Sequence, residues 1–378
     1  MIRVNYISAC MDSSGYAEAA RNNIGALSDA GVIVDVNPVS FESFRSDLGV
    51  LGSRINGMVR RDSNAKIQII HTTPNIFHKF KRGDRYNIGY TTWETSRLPK
   101  GWAESINLMD EVWVPCKQNI EVFRSSGVTI PIVHVPHTFN RAMVEQEYVD
   151  VSLQNIDKED FLFYSIFQWT ARKNPIDMLK AYLTEFSPGD KVCLVLKTYL
   201  VNPTSVDERE KIKQAILEVK NKLYLDVYPK IVLITSLLSK AQLNQLHRLG
   251  NSYLSFHRNE GFGIPIAEAM LAGKPVVCTG YGGVKDFVDS EVAYPISYQE
   301  TPVFGMPWET YKGDQVWADI NVMEARKAMR QVYSNREEAN QRGARAQQRM
   351  DQKYSWPVIG SIMKTRLETI IEEKNIRE

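Results

Sequence analysis

The chain has 378 residues, 43% of them hydrophobic and 24% charged, with a formal net charge of +2. That size and balance fit a globular protein of two domains, announce no polyanionic partner and leave no apolar run of membrane-spanning length. The 4 cysteines (Cys10, Cys116, Cys193, Cys278) and the 6 histidines are scattered, so neither a zinc site nor a disulfide framework is indicated, and a reducing cytoplasm is the expected compartment.

The first residues, MIRVNYISAC, run straight into a strand pattern instead of a charged-then-apolar leader. Residues 2–8 alternate as a strand, and Ser13-Ser14-Gly15 is a turn with a potential N-cap. From Tyr16 the apolar residues Ala20, Ile24 and Leu27 recur at helical spacing, with Gly31 placed to cap the end. A strand at 32–36 completes a βαβ unit, which implies a parallel sheet. Further strands are predicted at 67–70, 87–92, 111–115 and 131–136, which fills one doubly wound domain over 1–140.

A second series starts near Asp160. Strands are predicted at 161–167, 191–199, 230–236, 253–256 and 274–279. Helices are predicted from the Arg172-Lys173-Asn174-Pro175 loop to about Phe186, over 206–224 and over 239–249. The tail reads as helices at 322–334, 336–353 and Val358 to Lys374, with an interruption at Tyr354-Ser355-Trp356-Pro357 because proline disfavours helix at the residue before it.

The most informative stretch follows the strand at 253–256: His257-Arg258-Asn259-Glu260-Gly261-Phe262-Gly263-Ile264-Pro265-Ile266-Ala267-Glu268, then AMLAGKPVV. Gly261 and Gly263 let backbone come close to a ligand. Pro265 suits the first helical position and Gly273 the position just past the end. A helix thus opens beside the glycines, with free N–H groups where an anion would sit. Glu260 lies before the opening and Glu268 about one turn inside it. Amides that suit phosphate, flanked by carboxylates that suit hydroxyls, point to a nucleotide sugar.

The frame EGFGIPIAEAMLAGKPV resembles that of the family-four retaining glycosyltransferases, whose signature is two glutamates seven residues apart. The resemblance implies an α/β fold of the GT-B type, two Rossmann-like doubly wound domains facing across a cleft, with a first, acceptor domain over 1–140, a donor-nucleotide domain over 141–353 and a terminal helix over 354–378 crossing back. It implies that Glu260 contacts the donor sugar, that the amides of Gly261, Phe262, Gly263 and Ile264 contact sugar or phosphate, and that Glu268 holds the ribose hydroxyls. The family also sets an arginine and a lysine against the donor pyrophosphate. Lys173 matches, whereas the arginine usually stands several residues earlier, where this chain has Phe167-Gln168-Trp169, so that Arg172 is the substitute. Gly15 in the first βα turn takes the place of a glycine that approaches the donor phosphates, and Ser236 and Leu237 the place where backbone meets the nucleobase. Gly282 and Gly283 follow the signature's strand, and their loop is expected to shape the sugar pocket.

Many members carry a histidine near residue 94, where this chain has Trp93-Glu94. Glu94 is a candidate for bonding a hydroxyl or balancing charge at the anomeric carbon, and Trp93 for a sugar-stacking face. His71 is placed on the acceptor side, and His137 is read as structural. The expected activity is retaining glycosyl transfer from a UDP- or GDP-sugar to an acceptor hydroxyl, most often in a glycan or glycolipid, with no metal or other cofactor. Alternatives are glycosylation of a modified base in nucleic acid, for which Arg60-Arg61 and the basic run Lys79–Arg85 would meet phosphates, and sugar-nucleotide epimerisation on the same fold. A cytoplasmic enzyme with a peripheral position at the membrane surface fits those acceptors.

Overall fold

The computed structural model describes every residue except 42–46, 61, 147, 152, 154, 155, 377 and 378. The chain divides into two compact units, residues 1–143 with 350–378, and residues 144–349.

In the first unit, strands β1 (Arg3–Ser8), β2 (Ile33–Pro38), β3 (Ile67–His71), β4 (Tyr86–Tyr90), β5 (Glu111–Val114) and β6 (Ile132–His134) build a parallel sheet in the order β2-β1-β3-β4-β5-β6. The helix Gly15–Asp29 follows β1 because Ser14 caps it, its side chain accepting from the Ala17 N–H at 3.2 Å. The C-terminal helix Trp356–Lys374 lies on that helix. Its Ile359, Met363, Leu367 and Ile370 share one core with Val4, Ile24, Leu27 and Ile69. The Trp356 indole N–H donates to Asn22 Oδ1 at 3.1 Å, and its ring fills the space beside Gly25, where a side chain would collide with it. Arg366 of the same helix pairs with the buried Glu111 at 2.5 Å. This helix begins at Trp356, not Val358: Ser355 is its N-cap residue and Pro357 sits in the first turn, where a missing N–H leaves no bond unmade.

In the second unit, strands β7 (Phe161–Gln168), β8 (Val192–Tyr199), β9 (Lys230–Ile234), β10 (Ser252–Ser255), β11 (Val276–Thr279) and β12 (Tyr294–Ile296) form a parallel sheet in the order β12-β11-β10-β7-β8-β9. The helices Pro175–Glu185 and Val206–Leu223 cover one face, with Phe163, Met178, Tyr182, Leu194 and Ile212 in its core. An antiparallel hairpin of β13 (Tyr298–Pro302) and β14 (Val316–Ile320) follows. The strands predicted from sequence are present with ends shifted by one or two residues. β12 and the hairpin carry no clear strand pattern in the sequence. Tyr294–Ile296 is too short to show alternation, and the hairpin strands lie either side of a loop broken by Gly305, Pro307 and Gly313.

Strand order decides where a ligand can sit. In a doubly wound sheet the crevice opens at the carboxyl ends of the two adjacent strands from which the chain winds in opposite directions. In the first unit those strands are β1 and β3, and in the second they are β7 and β10.

Candidate functional site

In the second unit, the loops after β7 and β10 carry the residues that the motif singled out, and adjacency of those strands brings them together. After β7 a short 3-10 turn, Ala171–Lys173, leads to Asn174, whose φ of 53° turns the chain into the helix Pro175–Glu185. After β10 the chain runs through His257–Gly263 into the helix Ile264–Leu271. Arg172 and Lys173 reach across and share one carboxylate. The Arg172 guanidinium lies 3.2 Å from Glu260 Oε2 and donates to the Asn259 carbonyl at 3.0 Å, while the Lys173 ammonium binds Glu260 Oε1. Arg258 N–H closes the loop pair by donating to the Arg172 carbonyl at 2.7 Å. Burial alone would raise the Glu260 pKa, but Lys173 and then Arg172 pull it down to about 2, so the group is an anion at neutral pH. Glu260, Lys173, Ser255, Tyr253, Pro265 and Ile266 line a small pocket at this switch point.

The loop itself is held by close packing. Gly263 stands at the N-cap with φ of +95°, a conformation that strains any side chain. The first N–H groups to find partners inside the helix are those of Ile266 and Ala267, both on the Gly263 carbonyl at 3.0 Å. Pro265 is the second helical residue, one place later than predicted, because the helix opens at Ile264. Gly282 and Gly283 pack closely against the loop. Both are buried, Gly283 N–H donates to the Glu260 carbonyl at 2.8 Å, and a Cβ on Gly283 would lie 2.3 Å from the Gly261 carbonyl oxygen. Gly283→Ala should therefore lower stability by about 2 kcal/mol, read by thermal unfolding. An unchanged melting temperature would show that the two loops can part without loss.

The Phe262 ring is buried, 5.1 Å from that of Phe287, which leaves only its backbone to face a ligand. His257 is buried between Ser255 Oγ at 3.0 Å and the Tyr281 carbonyl at 3.1 Å, and burial lowers its pKa to about 4. Side-chain atoms near the loop, among them Thr170 Oγ1, Asn174 Nδ2 and Asn259 Nδ2, are buried without a hydrogen-bond partner among the described residues. Buried polar groups are normally paired, so these are groups that a polar ligand would satisfy.

Glu268 is buried in the helix that opens at Ile264. Its partners come from the helix Lys240–Leu249: the Lys240 ammonium binds Oε1, and His247 Nε2 lies 3.7 Å from Oε2. Neither residue belongs to the signature, and the local signal for their helix is the Ser239-to-Gln242 capping box that starts it. Ser236 and Leu237 lie just before that helix, at the end of β9, with Ser236 exposed and Leu237 half-buried.

In the first unit, Gly15 is exposed at the start of the helix after β1. Glu94 is half-buried near Tyr16, whose hydroxyl meets Thr91 Oγ1 at 2.9 Å. Burial first, and the Glu94 charge in addition, push the Tyr16 pKa up to about 12. Two expectations need correction. Trp93 offers no stacking face: it is 5% exposed, its indole N–H donates to Thr95 Oγ1 at 2.6 Å and the Arg97 carbonyl at 2.7 Å, and its ring meets Trp102 edge-on at 4.9 Å. His71 lies at the predicted strand end but inside the core. It stacks on Tyr90 at 4.3 Å and shares a hydrogen bond of 2.8 Å with the Tyr6 hydroxyl, and burial holds its pKa well below the usual histidine range. His137 is buried beside it, as a structural residue. In the basic run Lys79, Lys81 and Arg82 are exposed, Arg82 pairs with Asp84, and Arg85 binds the Ser63 carbonyl, while Arg61 lies outside the described residues.

Residues 152–349, more than half of the chain and including both glutamates and both cations, match the model of the family described as glycosyl transferases group 1. The chain belongs to that family. The fold of this group 1 glycosyltransferase is similar to that of sucrose-phosphate synthase from Thermosynechococcus elongatus, at a TM-score of 0.68 and 13% identity over 99% of this chain and 100% of that one. It is similar to Anabaena HepE in complex with UDP and glucose, at 0.66 and 14% over 98% and 100%. It is also similar to trehalose-6-phosphate synthase of E. coli bound with UDP-2-fluoro glucose, at 0.66 and 12% over 97% and 99%. These likenesses establish the GT-B fold of two Rossmann-like domains. No curated protein matches the chain. Among the described residues of this glycosyltransferase, no helix is long and apolar enough to cross a membrane.

Proposed function

We propose that the second unit binds a UDP-sugar and that the enzyme transfers the sugar, with retention, to an acceptor hydroxyl of a glycan or glycolipid. The observation that carries the reading is the convergence of Lys173 and Arg172 on Glu260 at the sheet's switch point, beside the opening of the helix Ile264–Leu271. Glu260 holds the cations in place before a diphosphate arrives, so their field needs no reorganisation when the leaving group gains charge. The helix N–H groups receive the phosphate oxygens, and Glu268 accepts the ribose hydroxyls. In the transfer, the bond between the anomeric carbon and the β-phosphate oxygen breaks, the bond to the acceptor oxygen forms on the same face, and the departing phosphate takes the acceptor proton. UDP is preferred to GDP because two of the similar structures, HepE and the E. coli protein, hold UDP or a UDP-sugar. The amides and Lys173 supply the positive field that a metal would otherwise supply, so turnover should survive a chelator.

Calorimetry with UDP, GDP and their sugars, followed by nucleotide release with and without acceptor, tests this. Glu268→Ala should weaken UDP binding by about tenfold, and Lys173→Ala should slow transfer by about a hundredfold. Wild-type values in both variants would refute these assignments, and release that does not depend on an acceptor would refute transfer.

A further inference from the structure

Glu268 is gripped from a helix that the signature does not contain. The capped helix Lys240–Leu249 carries Lys240 to one carboxylate oxygen and His247 towards the other. His247 is 1% exposed, and its other nitrogen, Nδ1, lies 2.9 Å from the hydroxyl of Tyr164, which is itself buried on β7. Nε2 is buried and, at 3.7 Å from Glu268 Oε2, has no hydrogen-bond partner among the described residues.

The chemistry of this row selects one arrangement. Burial lowers the His247 pKa and raises that of Tyr164, so both are neutral and the imidazole carries one N–H. A proton on Nδ1 would leave the bare Nε2 lone pair facing a carboxylate. A proton on Nε2 faces Glu268 favourably and leaves Nδ1 to accept from the Tyr164 O–H. Closing the gap from 3.7 Å to an ordinary bond of about 2.9 Å needs a movement of less than an ångström.

We propose that His247, set as its Nε2–H tautomer by the Tyr164 hydroxyl, is a positioning residue that fixes the Glu268 carboxylate for the ribose hydroxyls of the donor. This rests on the donor-site reading above. Lys240 binds one oxygen and His247 faces the other, so the carboxylate is held from the helix Lys240–Leu249 at both oxygens. Loss of His247 lets the carboxylate turn towards Lys240, which weakens the donor in the ground and transition states alike. The effect therefore falls on KM and not on kcat.

The test uses the full chain with UDP as the probe. His247→Asn withdraws the group facing Glu268, whereas His247→Gln keeps an N–H donor near the position of Nε2. His247→Asn should weaken UDP binding by about tenfold, raise KM for the sugar nucleotide and leave kcat within about twofold, and His247→Gln should restore most of the affinity. Combined with Glu268→Ala, His247→Asn should add nothing further. Should His247→Asn fail to fold, Tyr164→Phe removes only the hydroxyl and should weaken UDP several-fold. Nitrogen NMR on the wild type should show the proton on Nε2. A proton on Nδ1, wild-type affinity in His247→Asn, or an equal loss in the Glu268→Ala background would overturn the proposal. Failure of the wild type itself to bind UDP would instead overturn the donor-site reading on which it rests.

Discussion

Glu260→Gln should lower turnover by about two to three orders of magnitude and destabilise the second unit by about 3–5 kcal/mol. Both effects have one cause. The carboxylate is buried, with Lys173 on one oxygen and Arg172 3.2 Å from the other, and the three side chains are 9%, 13% and 14% exposed. A neutral amide of the same shape leaves two largely buried cations facing each other without a counter-charge. The arrangement that would receive a diphosphate is then repulsive before any ligand arrives. The pH dependence has a definite sign. The folded pKa of Glu260 is about 2, below its ordinary value of 4.5. Its stabilising contribution is complete above the unfolded value and is lost as pH falls towards 2. Melting temperatures of the wild type and Glu260→Gln should differ most near neutral pH and converge below pH ~4.5. A gap that stays constant down to acid pH would show that the carboxylate charge is not what holds the loops.

Lys197→Met should do the opposite and stabilise the protein, by about 3 kcal/mol at pH 7. Lys197 is 5% exposed on β8, between Ile166 of β7 and Ile234 of β9, with its ammonium 5.4 Å from the centre of the Tyr199 ring. Burial lowers its pKa from 10.5 to about 8. At pH 7 it is protonated in both the folded and the unfolded chain, so the fold bears the full penalty of a desolvated charge. Between pH 8 and 10.5 only the unfolded chain keeps the proton, and the wild type regains stability as pH rises. Methionine matches the length of the side chain without the charge. The gain in melting temperature should be largest below pH 8 and shrink towards pH 10.5. A variant no more stable than the wild type at pH 7 would mean that the ammonium reaches water or an anion.

The parts of the site visible in the sequence are those with local causes. Glycines at 261 and 263, a proline in the first helical turn and glutamates seven residues apart describe one loop and one helix, and each signal acts within a few residues of its origin. Ser14 as a cap and the alternation of residues 2–8 were legible for the same reason. Trp93 misled because an aromatic beside a glutamate after a strand has the same local pattern whether its ring faces a cleft or a core. Asn119, 26 positions away, anchors the turn, accepting from Trp93 N–H at 3.2 Å and donating to its carbonyl at 2.7 Å, while Trp102 packs on the ring. His71 misled similarly, since a strand end can face inward, and here Tyr6 and Tyr90 enclose it.

By itself, then, the sequence determined two series of parallel strands, the loop that opens a helix beside Glu260 and Glu268, and the family to which that loop belongs, because period, capping and glycine spacing are short-range properties. Only the tertiary structure decided which groups share a carboxylate. Residues 172 and 260 meet because the sheet order sets β7 beside β10, and residues 164, 247 and 268 meet because the helix Lys240–Leu249 reaches both β7 and the helix Ile264–Leu271. Nothing in the spacing of those residues along the chain encodes their separation in space. That separation follows from how the sheet is wound and from which apolar faces must be buried together.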